Sequence, residues 1–257
     1  MTDFTPTPER QKQILSLLAK QGRLSVAAIV EQFSVSEATA RRDLESLASE
    51  GKVQRVHGGA IAVEQAPPEL PILERENEQA DEKIRIGHAT AELIADNETV
   101  FLGSGTTVLE AAKNLRDRKN LTVITNSLPV LNTLAGIKEI TVISLGGMLR
   151  DSELSFIGHI TEQALAELRA DKVIIGARAV SLEHGLTNDY LPETQTDRAI
   201  LKVGHEVILV ADHSKINRVS TTFLAPLTDV HKLVTDKQTP RAFTSALKAL
   251  GINLIIV

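Results

Sequence analysis

The sequence predicts an α/β protein in two parts: a small N-terminal winged helix-turn-helix module and a larger C-terminal α/β domain with a mostly parallel sheet. Three observations predict it. From residue 98 onward short β-branched runs recur, and helical segments separate most of them, as in a parallel sheet covered on both faces. Before residue 62, apolar residues fall at helical spacing in three short stretches and then alternate. Between the two lies EQAPPELPI (64–72), whose three prolines read as an extended linker. The domains are expected at 1–62 and 80–257, with 63–79 between them.

The first helix is expected over roughly 8–21. Thr7 suits the N-cap and Pro8 the first helical position, Ile14, Leu15, Leu17 and Leu18 form an apolar stripe, and Gly22 ends it. Ser25 then caps VAAIVEQF (26–33), with Ala28, Ile29 and Phe33 able to face inward. Ser34-Val35-Ser36 turns the chain, and Ser36 caps EATARRDLESLASE, which Gly51 ends. Ala40, Leu44 and Leu47 supply the inner face of that helix. Val53, Val56 and Ile61 alternate around His57-Gly58-Gly59, a hairpin pattern. After the linker a polar, amphipathic helix is expected at about 74–95. The strands follow at 99–102, 121–125, 140–145, 171–176, 206–211, 231–235 and 253–257, with helices at 106–116, 127–135, 158–169, 194–203 and 240–249.

Composition narrows the function classes. The 257 residues hold no cysteine, so disulfides and thiolate metal sites are excluded. No apolar run suits a signal peptide or a membrane span, so a cytoplasmic protein with no membrane partner is expected. Net charge is −5, which at first argues against nucleic acid. Residues 1–60, however, carry eight basic and seven acidic residues, leaving twenty basic and twenty-six acidic ones for the remainder. Affinity for DNA must come from a few cations placed on one face, because the field of the whole molecule would oppose it.

The N-terminal pattern supplies such a face. In a helix-turn-helix the second helix enters the major groove with its N-terminal residues first. With Ala40, Leu44 and Leu47 inward, Glu37, Thr39, Arg41 and Arg42 face outward. Ser36 and Thr39 can bond phosphate or base edges, and arginine can read guanine or clamp phosphate. Lys52, Arg55 and His57 on the hairpin would lie beside the flanking backbone or minor groove. Asp43, next to two arginines, is expected to orient Arg42 or to cap locally.

The C-terminal pattern suggests a ligand pocket. Gly103-Ser104-Gly105-Thr106-Thr107 follows a strand and opens a helix, where backbone N–H groups and two hydroxyls can cradle an anion. The spacing fits neither the Walker pattern nor the dinucleotide fingerprint. Other strand ends carry Thr125-Asn126-Ser127, Gly146-Gly147 with Arg150, and Gly176-Ala177-Arg178. Open α/β sheets bind ligands at such carboxyl ends. Glu193 either bonds a ligand hydroxyl or charges the start of the 194–203 helix. His159, His184, His205 and His213 lack metal-ligand spacing, so neither a metal nor a cofactor is expected.

Both halves resemble one family. Val35-Ser36-x-x-Thr39-x-Arg41-Arg42-Asp43-Leu44, then Gly51, then Arg55-x-His57-Gly58-Gly59-Ala60 resembles the N-terminal domain of the DeoR family of bacterial repressors. From about residue 80 on, Gly105-Thr106-Thr107, Thr125-Asn126-Ser127, Gly146-Gly147-x-x-Arg150, Gly185-Leu186-Thr187 and Ala211-Asp212-x-Ser214-Lys215 resemble its C-terminal domain, whose fold is related to ribose-5-phosphate isomerase. The resemblance implies phosphate held by the 103–107 loop, Lys215 as a cationic partner, and Asn126 against the sugar. It also implies operator double-stranded DNA and a phosphorylated sugar or related anionic effector as partners.

The sequence departs from the family pattern at two places. Gly103-Ser104 stands where many members have Asp, and Asp197-Arg198-Ala199-Ile200 where they tend to have Lys-Arg-Ala-Met. The charge pattern of the pocket is thereby altered, and with it the expected effector. An isomerase is the alternative. Its acidic Asp-Gly-Ala-Asp-Glu segment and its glycine-rich segment after lysine are absent, and the comparable strand end reads Gly176-Ala177-Arg178-Ala179-Val180. The expectation is a repressor of a carbohydrate-utilisation operon, not an enzyme, acting as a homodimer or higher homo-oligomer.

Overall fold

The computed structural model describes residues 6–49, 52–56, 58–62, 64–67 and 70–257. The chain divides into two compact units, one ending at Gln65 and one beginning at Ala66. Most of the stretch expected as linker therefore belongs to the second unit.

The N-terminal unit runs α1 (Thr7–Gln21), β1 (Arg23–Ser25), α2 (Val26–Phe33), α3 (Glu37–Ser49), β2 (Val53–Val56), β3 (Gly59–Ala62) and the two-residue β4 (Glu64–Gln65). Thr7 is not the N-cap of α1. Pro6 takes that position in an extended conformation, and Thr7 is already helical. The Thr7 hydroxyl instead accepts from Arg10 at 3.2 Å. Gly22 ends the helix in the left-handed region at φ 70°, returning its N–H to Leu18. Ser25 caps α2 by accepting from Ala28 N at 3.0 Å. Ser36 caps α3 by accepting from Thr39 N at 3.1 Å.

Ile14, Leu18, Ile29, Ala40, Leu44, Leu47, Val53 and Ala60 make the core of this unit. Ala28 and Phe33 are only half-buried, and Val26 takes the inner place beside Ile29. The hairpin β2–β3 forms as expected, and β1 adds a third antiparallel strand against β3. Three residues are too few to show a period, so β1 leaves no signal in the sequence. Gly59 is demanded there, since a Cβ would stand 2.2 Å from the Leu24 carbonyl oxygen. Gly51 and His57 lie outside the described residues.

In the second unit the helix expected at 74–95 is shorter. Residues 71–79 make successive turns, with Glu74 N bonding Pro71 O at 2.9 Å and Glu78 N bonding Arg75 O at 3.1 Å. Gln79 at φ 50° breaks helical continuity before α4 (Ala80–Ala91). The seven expected strands all form. They are β5 (Thr99–Leu102), β6 (Leu121–Thr125), β7 (Ile140–Ser144), β10 (Ala170–Ile175), β13 (Gly204–Val210), β16 (Lys232–Thr235) and β17 (Asn253–Ile256), in the order β17-β16-β13-β10-β5-β6-β7. Every pairing between them is parallel.

Successive residues point to opposite faces of the sheet. Val100, Leu102, Val123, Ile174 and Ile208 join one core with α4 and α5 (Thr106–Lys113). Phe101, Ile124, Val173, Ile175, Leu209 and Leu233 join the other, with α7 (His159–Ala166), α8 (Leu191–Ile200) and α9 (Arg241–Ala249). The helix α6 (Leu128–Leu134) follows β6 and contributes Val130 and Leu134 to the first core.

The strand order reverses between β5 and β10, since the chain leaves β5 toward β6 and β7 and returns to its other side. The loops after these two strands therefore diverge and leave a crevice between them. Two small antiparallel arrangements escape the sequence reading. One is the hairpin β8 (Met148–Arg150) and β9 (Ser155–Ile157). The other is the sheet of β11 (Ala179–Ser181), β12 (Gly185–Asn188) and β15 (Thr222–Ala225), which the two-residue β14 (Arg218–Val219) precedes.

Candidate functional site

In the N-terminal unit α3 carries the candidate nucleic-acid face. Glu37, Arg41 and Arg42 are exposed and Thr39 is half-buried. Arg41 pairs with Glu37 one turn earlier, Nη2 to Oε1 at 2.6 Å. An exposed i,i+4 pair holds by only about 0.3–0.5 kcal/mol, so a phosphate or guanine can displace the carboxylate cheaply. Ser36 Oγ lies 2.9 Å from Thr39 Oγ1, so the two hydroxyls satisfy one another at the helix start. Arg55 reaches back from β2, its Nη1 3.4 Å from both Arg41 O and Glu45 Oε1. The structure thus gathers Ser36, Glu37, Thr39, Arg41 and Arg55 near the first two turns of α3. Lys52 is exposed just before β2.

Asp43 corrects the expectation set for it. It is buried and binds Arg10 of α1, at 2.6 Å to Nε and 3.2 Å to Nη2. It neither orients Arg42 nor caps a helix. The reason is geometric: Asp43 precedes Leu44 and shares the inner side of α3, where α1 supplies the guanidinium.

In the second unit the crevice between β5 and β10 opens into a pocket. Ser104, Gly105, Thr106 and Thr107 form one wall, and Gly176, Ala177 and Arg178 another. Gly105 at φ 110° turns the chain so that α5 starts on the pocket, with no side chain capping its first turn. The N–H groups of that turn have no intrahelical partner, and the helix dipole places positive potential there.

Four cations add to it: Arg75 from the turns before α4, Lys83 from α4, Arg178, and Lys215 after β13. Four carboxylates line the same space: Glu153, Glu193, Asp197 and Asp212. Arg75 pairs with Glu153. Arg150 pairs with Glu193, which also accepts from Ser155 Oγ at 3.0 Å. Asn188 links the two sets, donating to Asp197 at 2.8 Å and accepting from Arg178 N at 3.3 Å. Lys83 Nζ donates to Arg75 O at 2.7 Å.

Burial dominates the electrostatics of the two most perturbed groups. It raises the Asp197 carboxyl well above its ordinary range, and nearby Glu193 raises it further. Burial lowers the Lys83 ammonium, and Asp212 only partly opposes this. The pocket thus brings four cations, four carboxyl groups and the start of α5 to one space, with Asn188 and Asp197 hydrogen-bonded on its α8 side.

Of the residues expected from sequence, Ser104, Gly105, Thr106, Thr107, Gly176, Arg178, Glu193 and Lys215 line the pocket. Six do not. Gly103 continues the sheet, bonding Ile174 O at 3.0 Å. Thr125 bonds Leu102 O and Ser127 N, and Ser127 caps α6. Asn126 donates to Phe156 O at 3.1 Å, and its Oδ1 has no partner among the described residues. Gly147 packs against Thr161, leaving no room for a Cβ. Arg150 stands behind the pocket, clamping Glu193 and lying 4.7 Å over the Tyr190 ring.

Glu193 does not precede its helix. It sits in the first turn of α8, which starts at Leu191. Arg75, Lys83, Glu153 and Asn188 escaped sequence reasoning as pocket residues. For Lys83 a signal existed, because Lys83, Ile86, Gly87 and Thr90 occupy the buried stripe of α4. Among the described residues no cluster of three or more histidines and carboxylates suits a metal ion. No helix among them is long and apolar enough to cross a membrane.

Comparison with known proteins follows the same division. Residues 10–66 match the model of a DeoR-like helix-turn-helix domain, and residues 78–237 that of a DeoR C terminal sensor domain. The transcriptional repressor AccR of Agrobacterium fabrum is 37% identical over 237 residues, 92% of each chain. The glycerol-3-phosphate regulon repressor of Escherichia coli is 35% identical over 96% of this chain and 97% of its own. The regulator IolR of Bacillus subtilis is 32% identical, covering 96% of this chain and 97% of its own. Among solved structures, ribose 5-phosphate isomerase A of Methanocaldococcus jannaschii aligns with a TM-score of 0.40 at 19% identity, covering 54% of this chain and 55% of that one. This chain therefore spans about half the length of that isomerase.

Proposed function

The chain belongs to the DeoR family of DNA-binding transcriptional regulators, and from that premise we propose which residues read DNA and what the pocket senses. Ser36, Glu37, Thr39, Arg41, Arg42, Lys52, Arg55 and His57 form the DNA-reading surface. Arg41 and Arg42 supply base or phosphate contacts from α3, and the hairpin cations track the flanking backbone. The effector is a phosphorylated sugar or a related anionic metabolite. Its anionic group sits at residues 104–107 with Lys215 and Arg178, and its hydroxyls face Glu193 and Asn188. The protein acts as a repressor of a carbohydrate operon. It works as a homodimer or larger assembly in the cytoplasm, and it binds its effector without converting it.

One observation carries this reading: on a chain that also holds a helix-turn-helix, four cations and an uncapped helix start line one pocket at the point where the sheet order reverses. Fluorescence anisotropy on duplex fragments from upstream of the protein's own operon tests it. Preference for one fragment is expected, and Arg42→Ala should weaken it by about 1–3 kcal/mol. Thr106→Ala with Thr107→Ala should leave DNA binding intact and abolish release by sugar phosphates. Equal binding to every fragment at low salt overturns the proposal, and conversion of ribose 5-phosphate to a ketose would restore the isomerase reading.

A further inference from the structure

The segment that leads from the second unit toward the DNA-reading unit is described at residues 66–67 and 70–79, and there it is fastened in part by the pocket's own cations. Arg178 donates from Nη2 to the carbonyl oxygen of Pro67. Ala66 N donates to Val219 O at 3.0 Å, and Ile72 N to Ser152 O at 2.7 Å. Ile72 itself is 2% exposed. Further along, Arg75 binds Glu153 and receives the Lys83 ammonium on its carbonyl.

A second cavity lies beneath this segment, lined by Ala66, Pro67 and Leu70 together with Arg75, Arg178 and Lys215. Those three cations also line the candidate effector pocket. They are a shared wall, with the connecting segment on one side and the 104–107 loop on the other.

We propose that Arg178 is the latch between the two sites: an anion at the 104–107 loop competes with the Pro67 carbonyl for its guanidinium and so releases the connecting segment. A phosphate dianion outcompetes a neutral carbonyl for guanidinium, because it adds the attraction of opposite charges and accepts two parallel N–H bonds from arginine where the carbonyl accepts one. Asp189, 3.9 Å from Arg178 Nε, is half-exposed and holds the guanidinium weakly by comparison. This coupling rests on the effector reading given above, and it supplies the differential contact that any ligand-driven change requires.

Hydrogen exchange on the full chain tests it, with inorganic phosphate as the probe against chloride at equal ionic strength. Phosphate should slow exchange at 103–107 and speed it in peptides covering 66–79. Arg178→Gln should speed exchange in 66–79 by about tenfold without phosphate, as loss of a hydrogen bond to a charged donor implies, and phosphate should add nothing more. Thr106→Val should keep the resting protection of 66–79 and lose the response to phosphate. It therefore decides the matter even if Arg178→Gln fails to fold, which protection at 100–102 and 173–175 would reveal. Slowed exchange at 103–107 with 66–79 unchanged overturns the latch alone. No effect at 103–107 overturns the anion-binding reading and the latch with it.

Discussion

At the scale of single residues, Asp197 departs furthest from the chemistry of its type. It is buried in the wall of a polar pocket, it faces Glu193, and its amide partner Asn188 only partly offsets both effects. The folded protein therefore holds this proton above the ordinary aspartate value of 3.8, whereas the unfolded chain releases it there. Between the two values the folded state binds more protons than the unfolded state. Stability is accordingly full below that window and is lost as pH rises through it. Asp197→Asn keeps an acceptor for Asn188 and removes the titration. The variant should match its parent near pH 4 and become the more stable of the two as pH rises toward 8, which urea midpoints will show. An equal gap at both pH values would mean that Asp197 ionises normally. Lys83 works in the opposite sense: its burial costs stability at neutral pH, and that cost fades as pH climbs toward 10.5.

Among the elements, the pairing of α1 with α3 depends on one buried ion pair. Arg10 and Asp43 have side chains only 2% and 3% exposed, and they meet in a two-bond contact. Asp43→Ala leaves a guanidinium facing the core without its carboxylate, and breaking such a pair costs about 3–5 kcal/mol. The expected result is loss of the N-terminal unit's helical signal and of operator binding while effector binding persists. Arg10→Met with Asp43→Leu should recover much of the stability, because it removes both charges together. A single substitution that left operator affinity unchanged would show the pair to be dispensable. The residues that make this pair are 33 positions apart in sequence, so no local pattern announces the partner of Asp43. Sequence patterns report neighbours within a turn or a strand, and they disclosed all seven sheet strands because β-branched runs need no partner to be recognised. The helix start at Gly105-Thr106-Thr107 was legible for the same reason. Strands of three residues, such as β8, β9 and β11, are too short to carry a period. Arg75 reaches the pocket from the turns at 71–79 that replace the first part of the helix expected there, whereas Lys83 reaches it from the buried face of α4.

For the whole molecule, the cores decide how folding and ligand binding are linked. The N-terminal core draws on residues 14 to 60, and the cores on the two faces of the sheet draw on residues 86 to 252, with no residue in common. Two units whose hydrophobic cores share no members can melt separately, and a ligand that binds one native unit stabilises that unit alone. At one hundred times its dissociation constant an effector adds about 2.7 kcal/mol. For a unit of this size each kcal/mol moves the midpoint by roughly 2–4 °C. Calorimetry should therefore show two transitions, with an effector sugar phosphate moving the larger by about 5–10 °C and leaving the smaller in place. An operator duplex should do the reverse. If the latch at Arg178 couples the two, effector and operator together should stabilise the protein by less than the sum of their separate effects, since each favours a different state of the segment at 66–79. Strict additivity would mean that the pocket and the DNA-reading helix do not communicate, and that the regulator senses its metabolite by some route other than this segment.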